Sequence, residues 1–205
     1  MSLTSIDSTR ATSDTVQIPR PDITVAHNVL LALAQKGRLG FKELMAMPSS
    51  TRGIATKTAN SYYTALARLK RRRQIVRTPD RRYELTQAGE YAAMKAFVRK
   101  EMVSLEESAK GIGSSATAPQ RWDGKWRIAI FDVPESKRPL RDYLRSVLKR
   151  LGCREFQRSM WIYPHRLPSF VAKLFQDPQV RRYARLLTAS DIDYDDDLQK
   201  KFRVR

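Results

Sequence analysis

Residues 125–165 read KWRIAIFDVPESKRPLRDYLRSVLKRLGCREFQRSMWIYPH, and the boundaries inside this stretch decide the fold. Trp126, Ile128 and Ile130 alternate with Arg127, Ala129 and Phe131, the period of a half-buried strand. Pro134 and Pro139 bracket a charged loop that neither the strand nor the following helix is expected to cross. Leu140, Leu144, Val147, Leu148 and Leu151 then recur at helical spacing, with Arg141, Asp142, Arg145, Lys149 and Arg150 outside that stripe. Burying each of these aliphatics contributes roughly 1.5–3 kcal/mol before chain entropy is counted. Gly152 is placed to stop the helix, and two strands joined by a tight turn follow.

Beyond this block, Pro168 and Ser169 start a second helix whose inner side is Val171, Leu174 and Phe175, and Ala184–Ser190 supplies a fourth strand. The order strand-helix-strand-strand-helix-strand is the split βαβ, or ferredoxin-like, arrangement. Helices cover one face of such a sheet. Trp161 and Tyr163 alternate with Met160 and Ile162, so the third strand is apolar or aromatic on both sides. The uncovered face is therefore expected to make a homodimer, with Phe131, Trp161 and Tyr163 as interface residues. The acids Asp193, Asp195, Asp196 and Asp197, with Leu198 and Phe202, fall in what reads as a solvated tail.

The succession FDVPE, KRPLRDYLRSVLKRLG and QRSMWIYP resembles the small ferredoxin-like CRISPR adaptation protein, the Cas-two family. It also resembles the central domain of PaaX-type transcriptional repressors, a relative of that fold. The resemblance runs in order from Lys125 to Asp193 and is specific for fold more than for function, because one fold carries both a regulator and an adaptation factor. It implies a homodimeric, prokaryotic, cytoplasmic and nucleoid-associated protein. In the Cas-two family an Asp ending the first strand resembles a magnesium ligand. Asp132 matches that position and is the one candidate catalytic residue, for a magnesium-dependent nuclease. A second reading lets Asp132 cap its loop or pair with Arg138 or Arg141. No other metal ligand is assigned, and no cofactor is expected apart from magnesium under the nuclease reading.

The chain has 205 residues, room for one or two cores, and a net charge of +18. Such a charge favours a polyanionic partner over a small-molecule substrate. It is evenly spread: residues 1–110 carry 19 basic and 10 acidic side chains, and residues 111–205 carry 20 and 11, so each part is net +9. No apolar run approaches the roughly 20 residues of a membrane span, and the N-terminus lacks the apolar core of a signal peptide. The single cysteine, Cys153, fits a reducing cytoplasm, and with His27 and His165 alone no zinc cluster can be assembled within one chain.

Upstream, residues 1–22 read as a flexible arm. Val25, Val29, Leu30 and Leu33 make a first helix stopped at Gly37, and Phe41–Met47 a second. Thr56 or Thr58 caps a third helix through Tyr62, Ala65, Leu66 and Leu69. Ile75-Val76, a polar turn and Tyr83–Leu85 then read as a two-stranded wing. Three helices and a wing describe a winged helix-turn-helix over 23–88, and NSYYTALARLKRRRQIVR resembles that superfamily. The full fold class is thus α+β, a winged helix-turn-helix followed by a ferredoxin-like domain.

The third helix leaves Lys57, Asn60, Ser61, Tyr63, Thr64 and Arg68 outside its buried stripe. Asn pairs with adenine, Lys with guanine, and hydroxyls reach bases or phosphates. Lys70, Arg71, Arg72 and Arg73 form a run of cations, and Arg77, Arg81 and Arg82 lie on the wing. These thirteen positions are the candidate double-stranded DNA contacts. Winged helices often place Gly where Arg73 stands, so the turn into the wing is expected to differ. Thr86 caps a longer helix with Tyr91, Met94, Val98, Met102 and Leu105 on one side, expected to pack on its own winged helix in preference to forming an inter-subunit coil. The expected divisions are an arm (1–22), a winged helix (23–88), a connecting helix (89–110), a linker (111–122), a ferredoxin-like domain (123–193) and a tail (194–205).

The leading expectation is a sequence-specific repressor acting as a homodimer on a pseudo-palindromic operator. The alternative is a CRISPR adaptation factor that bridges integrase subunits and holds spacer DNA. The chain ends 40 residues after His165, which leaves no room for the further C-terminal region of full PaaX repressors and puts a phenylacetyl-CoA-type effector in doubt.

Overall fold

A computed structural model of the chain describes residues 24–46, 59–111 and 121–205; the expected arm, the caps Thr56 and Thr58, Lys57, Met47 and most of the expected linker lie outside these residues. The class is α+β. Three helices, α1 (Val25–Lys36), α2 (Phe41–Ala46) and α3 (Ala59–Arg71), precede an antiparallel hairpin of β1 (Ile75–Arg77) and β2 (Tyr83–Leu85). Leu39 adds an isolated bridge to Tyr83, with backbone bonds of 3.1 and 2.9 Å, so the α1–α2 connection forms a third rung on the hairpin. Val29, Leu33, Leu44, Tyr62, Leu66, Leu69 and Ile75 close the core of this part.

The helix α4 (Gln87–Gly111) follows, capped by Thr86, whose hydroxyl accepts from Gly89 N at 3.1 Å and donates to the Arg73 carbonyl at 2.6 Å. Gly89 is required here by close approach, because a Cβ would stand 1.9 Å from the Gln74 carbonyl oxygen. The Met94, Val98 and Met102 stripe corrects the sequence expectation. It joins the core of the C-terminal sheet, while Ala92 and Ala93, on another side, join the N-terminal core. Tyr91 donates to the Pro139 carbonyl at 3.2 Å, and Glu106 pairs with Arg150 at 2.7 Å. α4 is thus shared between the two cores.

The C-terminal sheet has the strand order β4 (Arg154–Gln157), β5 (Met160–Tyr163), β3 (Trp126–Phe131), β6 (Ala184–Ala189), antiparallel throughout. With α5 (Arg138–Arg150) after β3 and α6 (Ser169–Gln176) after β5, this is the ferredoxin-like order. Pro139 does not precede α5 as expected but sits in its first turn, where its missing N–H loses no helical bond. Gly152 ends the helix at φ +86°, and Cys153 N returns to the Leu148 carbonyl at 3.0 Å. Burial pushes the Cys153 thiol up to about 12, so it is an inert core residue.

Side-chain alternation assigns the two faces. Ala129, Phe131, Trp161 and Ala184 pack under α5 and α6 against Leu144, Leu148, Val171 and Leu174. Phe131 and Trp161 are 1% and 7% exposed within their own chain, so neither is available to a second subunit; the expectation that they form a dimer interface is corrected. Tyr163 is partly buried against the same core and meets Phe202 edge-on at 6.3 Å. The opposite face is not open along its whole length either. The segment read as a solvated tail folds as α7 (Asp196–Phe202), and Leu198 and Val204 close over Trp126 and Ile162. Trp122, placed in the expected linker, packs on Trp126 at 5.0 Å between ring centres.

Candidate nucleic-acid interface

α3 divides along its length as its sequence dictates. Tyr62, Ala65, Leu66 and Leu69 are buried, while Asn60, Tyr63, Thr64, Arg68, Lys70 and Arg71 are exposed and Ser61 is intermediate. Tyr63 is 57% exposed and lies stacked on Phe41 of α2, 4.4 Å between ring centres with planes 20° apart. That stack fixes its ring on the outer surface beside Asn60 and Thr64. Lys57 falls outside the described residues.

The helix stops on Arg73, which takes the left-handed conformation at φ +54°, the position a glycine would ordinarily fill. Arg73 N donates to Lys70 O at 2.8 Å and Gln74 N to Leu69 O at 3.0 Å, the paired bonds of a Schellman stop. An arginine here costs on the order of 1 kcal/mol in backbone strain, and it sets a further cation at the turn into β1. Arg81 repeats the device in the hairpin at φ +62°.

Charge pairing divides the cations around the helix and the hairpin into two groups. Arg38 pairs with Glu84 at 2.7 Å, and Arg82 lies 3.7 Å from Asp80 and 4.0 Å from Glu43. Arg68, Lys70, Arg71, Arg72, Arg73, Arg77 and Arg81 have no carboxylate partner among the described residues, and all seven are exposed. Uncompensated cations of this kind, behind a helix face carrying Asn and Thr, suit a phosphate backbone with base edges beside it.

The other candidate, Asp132, ends β3 with its backbone N–H donating to the Tyr183 carbonyl at 2.8 Å. Its side chain is exposed at the mouth of a cavity of about 420 Å³ that also takes in Glu135, Arg141, Arg145 and Arg158. The expected pairing of Asp132 with Arg138 or Arg141 is not formed. Arg141 donates to Glu135 at 2.7 Å and Arg138 lies 3.6 Å from it; the Arg141 hydrogen bond holds the Glu135 carboxyl below its ordinary value. Among the described residues no three of His, Cys, Asp and Glu converge on a metal-sized site, the Asp193–Asp197 run included. Asp195 instead accepts from the Trp126 indole and from Gln199, each at 2.8 Å. The donor set here is Asp132 and Glu135, the latter already engaged by Arg141 and Arg138, among guanidinium groups that repel a divalent cation.

Sequence reasoning missed Gly89, the Leu39 rung and α7. Only α7 left a signal, the i, i+4 pair of Leu198 and Phe202 inside an acidic run.

Residues 119–200 match the family model described as PaaX protein central Cas2-like domain. The fold is also similar to a solved structure described as uncharacterized protein Rv0674 from Mycobacterium tuberculosis, with 18% identity, 88% of this chain and 67% of that chain covered, and a TM-score of 0.34. That superposition is too loose to bear on function. No curated protein matches the sequence. Among the described residues no helix is long and apolar enough to cross a membrane.

Proposed function

We propose, from the match of residues 119–200 to the PaaX protein central Cas2-like domain and the exposed cations of α3 and the hairpin, that the chain is a PaaX-type transcriptional regulator that represses by binding double-stranded DNA through a winged helix-turn-helix built from α1–α3 and the β1–β2 hairpin. α3 enters the major groove with Asn60 and Thr64 toward base edges, while Arg71, Arg72, Arg73 and Arg77 hold phosphates. The observation that carries this reading is the run of seven exposed cations without carboxylate partners among the described residues, directly behind a polar helix face.

The repressor works as a homodimer on two half-sites one helical turn apart, or a multiple of it. Its two-fold contact uses the end of the sheet that α7 leaves open. There Ile130 is paired in register with Met160, and Leu187, 48% exposed, shares that face. The domain divisions follow the two cores, with α4 belonging to both and α7 belonging to the sheet. The family match brings no integrase with it, and Asp132 carries no step in this account.

The test is a binding titration of the intact chain on the duplex upstream of its own gene and on a shuffled duplex of equal length. Preference for the former, with an affinity that falls as log salt rises at about −0.9 per phosphate neutralised, is expected. Equal affinity for both at moderate salt would contradict sequence-specific regulation.

A further inference from the structure

A second feature lies on the inner side of α3. Four helices enclose a cavity of about 570 Å³ at the seam of the two cores: α1 supplies His27, α3 and the turn that ends it supply Arg68 and Arg72, α4 supplies Lys95 and Arg99, and α5 supplies Tyr143 and Arg150. Among the described residues five cations line it, and no Asp or Glu does. Their partial compensations lie elsewhere: Arg150 reaches Glu106 at 2.7 Å, and the Lys95 ammonium sits 4.3 Å from the Tyr91 ring centre. The Arg99 Nε is buried with no hydrogen-bond partner among the described residues. A buried, unpartnered guanidinium nitrogen is a standing demand for an acceptor.

His27 registers the same field. Burial, and then the charges of Arg99 and Arg68, hold its pKa below the ordinary value. Its Nδ1 accepts the Thr24 backbone N–H at 3.1 Å, so the neutral ring carries its proton on Nε2, one more donor in the wall. Leu30, Val98, Met102 and Val147 complete the lining with apolar surface.

A cavity on the other side of α4 makes the contrast. It is larger, about 880 Å³, but there Arg38, Lys100 and Lys173 are matched by Glu84, Glu90, Glu101 and Asp177. Of these two cavities, only the first carries excess positive charge.

We propose that the cavity between α1, α3, α4 and α5 binds a compact small-molecule oxyanion, carboxylate or phosphate, and that its occupancy withdraws Arg68 and Arg72 from DNA. Arginine forks suit both oxyanions, and the apolar wall accommodates a short hydrocarbon part. The same two guanidinium groups serve either the cavity or the DNA surface, so the anion competes with DNA without any rearrangement of the fold. Anion binding stands on the cavity alone; the competition rests on the DNA reading of α3.

Isothermal titration of the intact chain at fixed ionic strength, with inorganic pyrophosphate in one arm and citrate in the other, tests the site. Saturable one-to-one binding of either is expected, with the preferred probe telling phosphate from carboxylate. Arg99→Gln should weaken it by about tenfold or more, the loss expected for a buried charge-assisted bond. The imidazole resonances of His27 should titrate at higher pH with the anion bound, because the bound charge offsets Arg68 and Arg99. Lys95→Gln, on an exposed position, serves as the second variant should Arg99→Gln melt early. No saturable heat from either probe, or equal affinity in wild type and both folded variants, overturns the site. If the anion binds and the affinity for duplex DNA stays where sodium chloride of the same ionic strength puts it, the competition is overturned and the site stands. A chain that binds the anion but no DNA at all sinks the regulator reading and leaves the site supported.

Discussion

The surface of α3 and the mouth of Asp132 are both rich in arginine, yet they are electrically different places. Around Asp132 two arginines, Arg141 and Arg138, share Glu135, and Arg145 donates to the Arg158 carbonyl at 2.8 Å, which leaves Arg158 as the exposed guanidinium without a carboxylate partner among the described residues lining that cavity. From Arg68 to Arg81 the cations have no carboxylate partner among the described residues. Each part of the chain carries the same net charge of +9, so totals do not distinguish them. Pairing does. Cations already matched within the fold must break a contact to reach a phosphate, whereas unmatched ones gain one.

The sharpest way to break the comparison is to remove charge on each side. Arg71→Ala combined with Arg77→Ala should lower DNA affinity about a hundredfold, alike for all sequences, if each guanidinium makes one charge-assisted phosphate bond. Anisotropy titrations at two salt concentrations check this, and the salt slope should shrink by about two. Gly89→Ala strikes the joint that carries α3 instead of its surface. With a carbonyl oxygen 1.9 Å from the new Cβ, the backbone of Gln74 must move, and denaturant melts should show a loss of about 2–3 kcal/mol. Arg73→Gly separates strain from charge: stability should hold or rise by up to about 1 kcal/mol in the same melts, while DNA affinity falls. Asp132→Ala should leave stability within about 0.5 kcal/mol and DNA affinity unchanged, as expected of an exposed side chain outside any pairing.

A pH effect of smaller size follows from His27. Its folded pKa lies below its unfolded value, so the unfolded chain binds the extra proton. Stability from this group is present above the unfolded pKa, about 6.5, and is lost as pH falls from there toward the lowered folded value. Thermal melts at stepped pH should show the loss in wild type and a smaller one in His27→Asn.

The ferredoxin-like order was legible because its signals are local. Alternation at Trp126–Phe131, the Leu140–Leu151 stripe and Gly152 each declare an element within one window. The split of α3 into a buried stripe and a polar face was legible for the same reason. What sequence reasoning could not reach depends on chain segments far apart. Phe131 and Trp161 looked like interface residues because aromatic side chains on a strand suit either face, and only the register of β3 with β5 and β6 puts them beneath α5 and α6. α7 covers the other face with Leu198 and Val204, too sparse among acids to advertise a helix that docks. The seam cavity draws its cations from three helices, none of which carries an obvious motif.

Hydrogen–deuterium exchange of the intact chain, with and without its upstream duplex, tests the central claim most directly. Added protection over 59–85, with residues 132–159 unchanged, is the predicted result. Protection at 132–159 with α3 and the hairpin exchanging as in the free protein would contradict it.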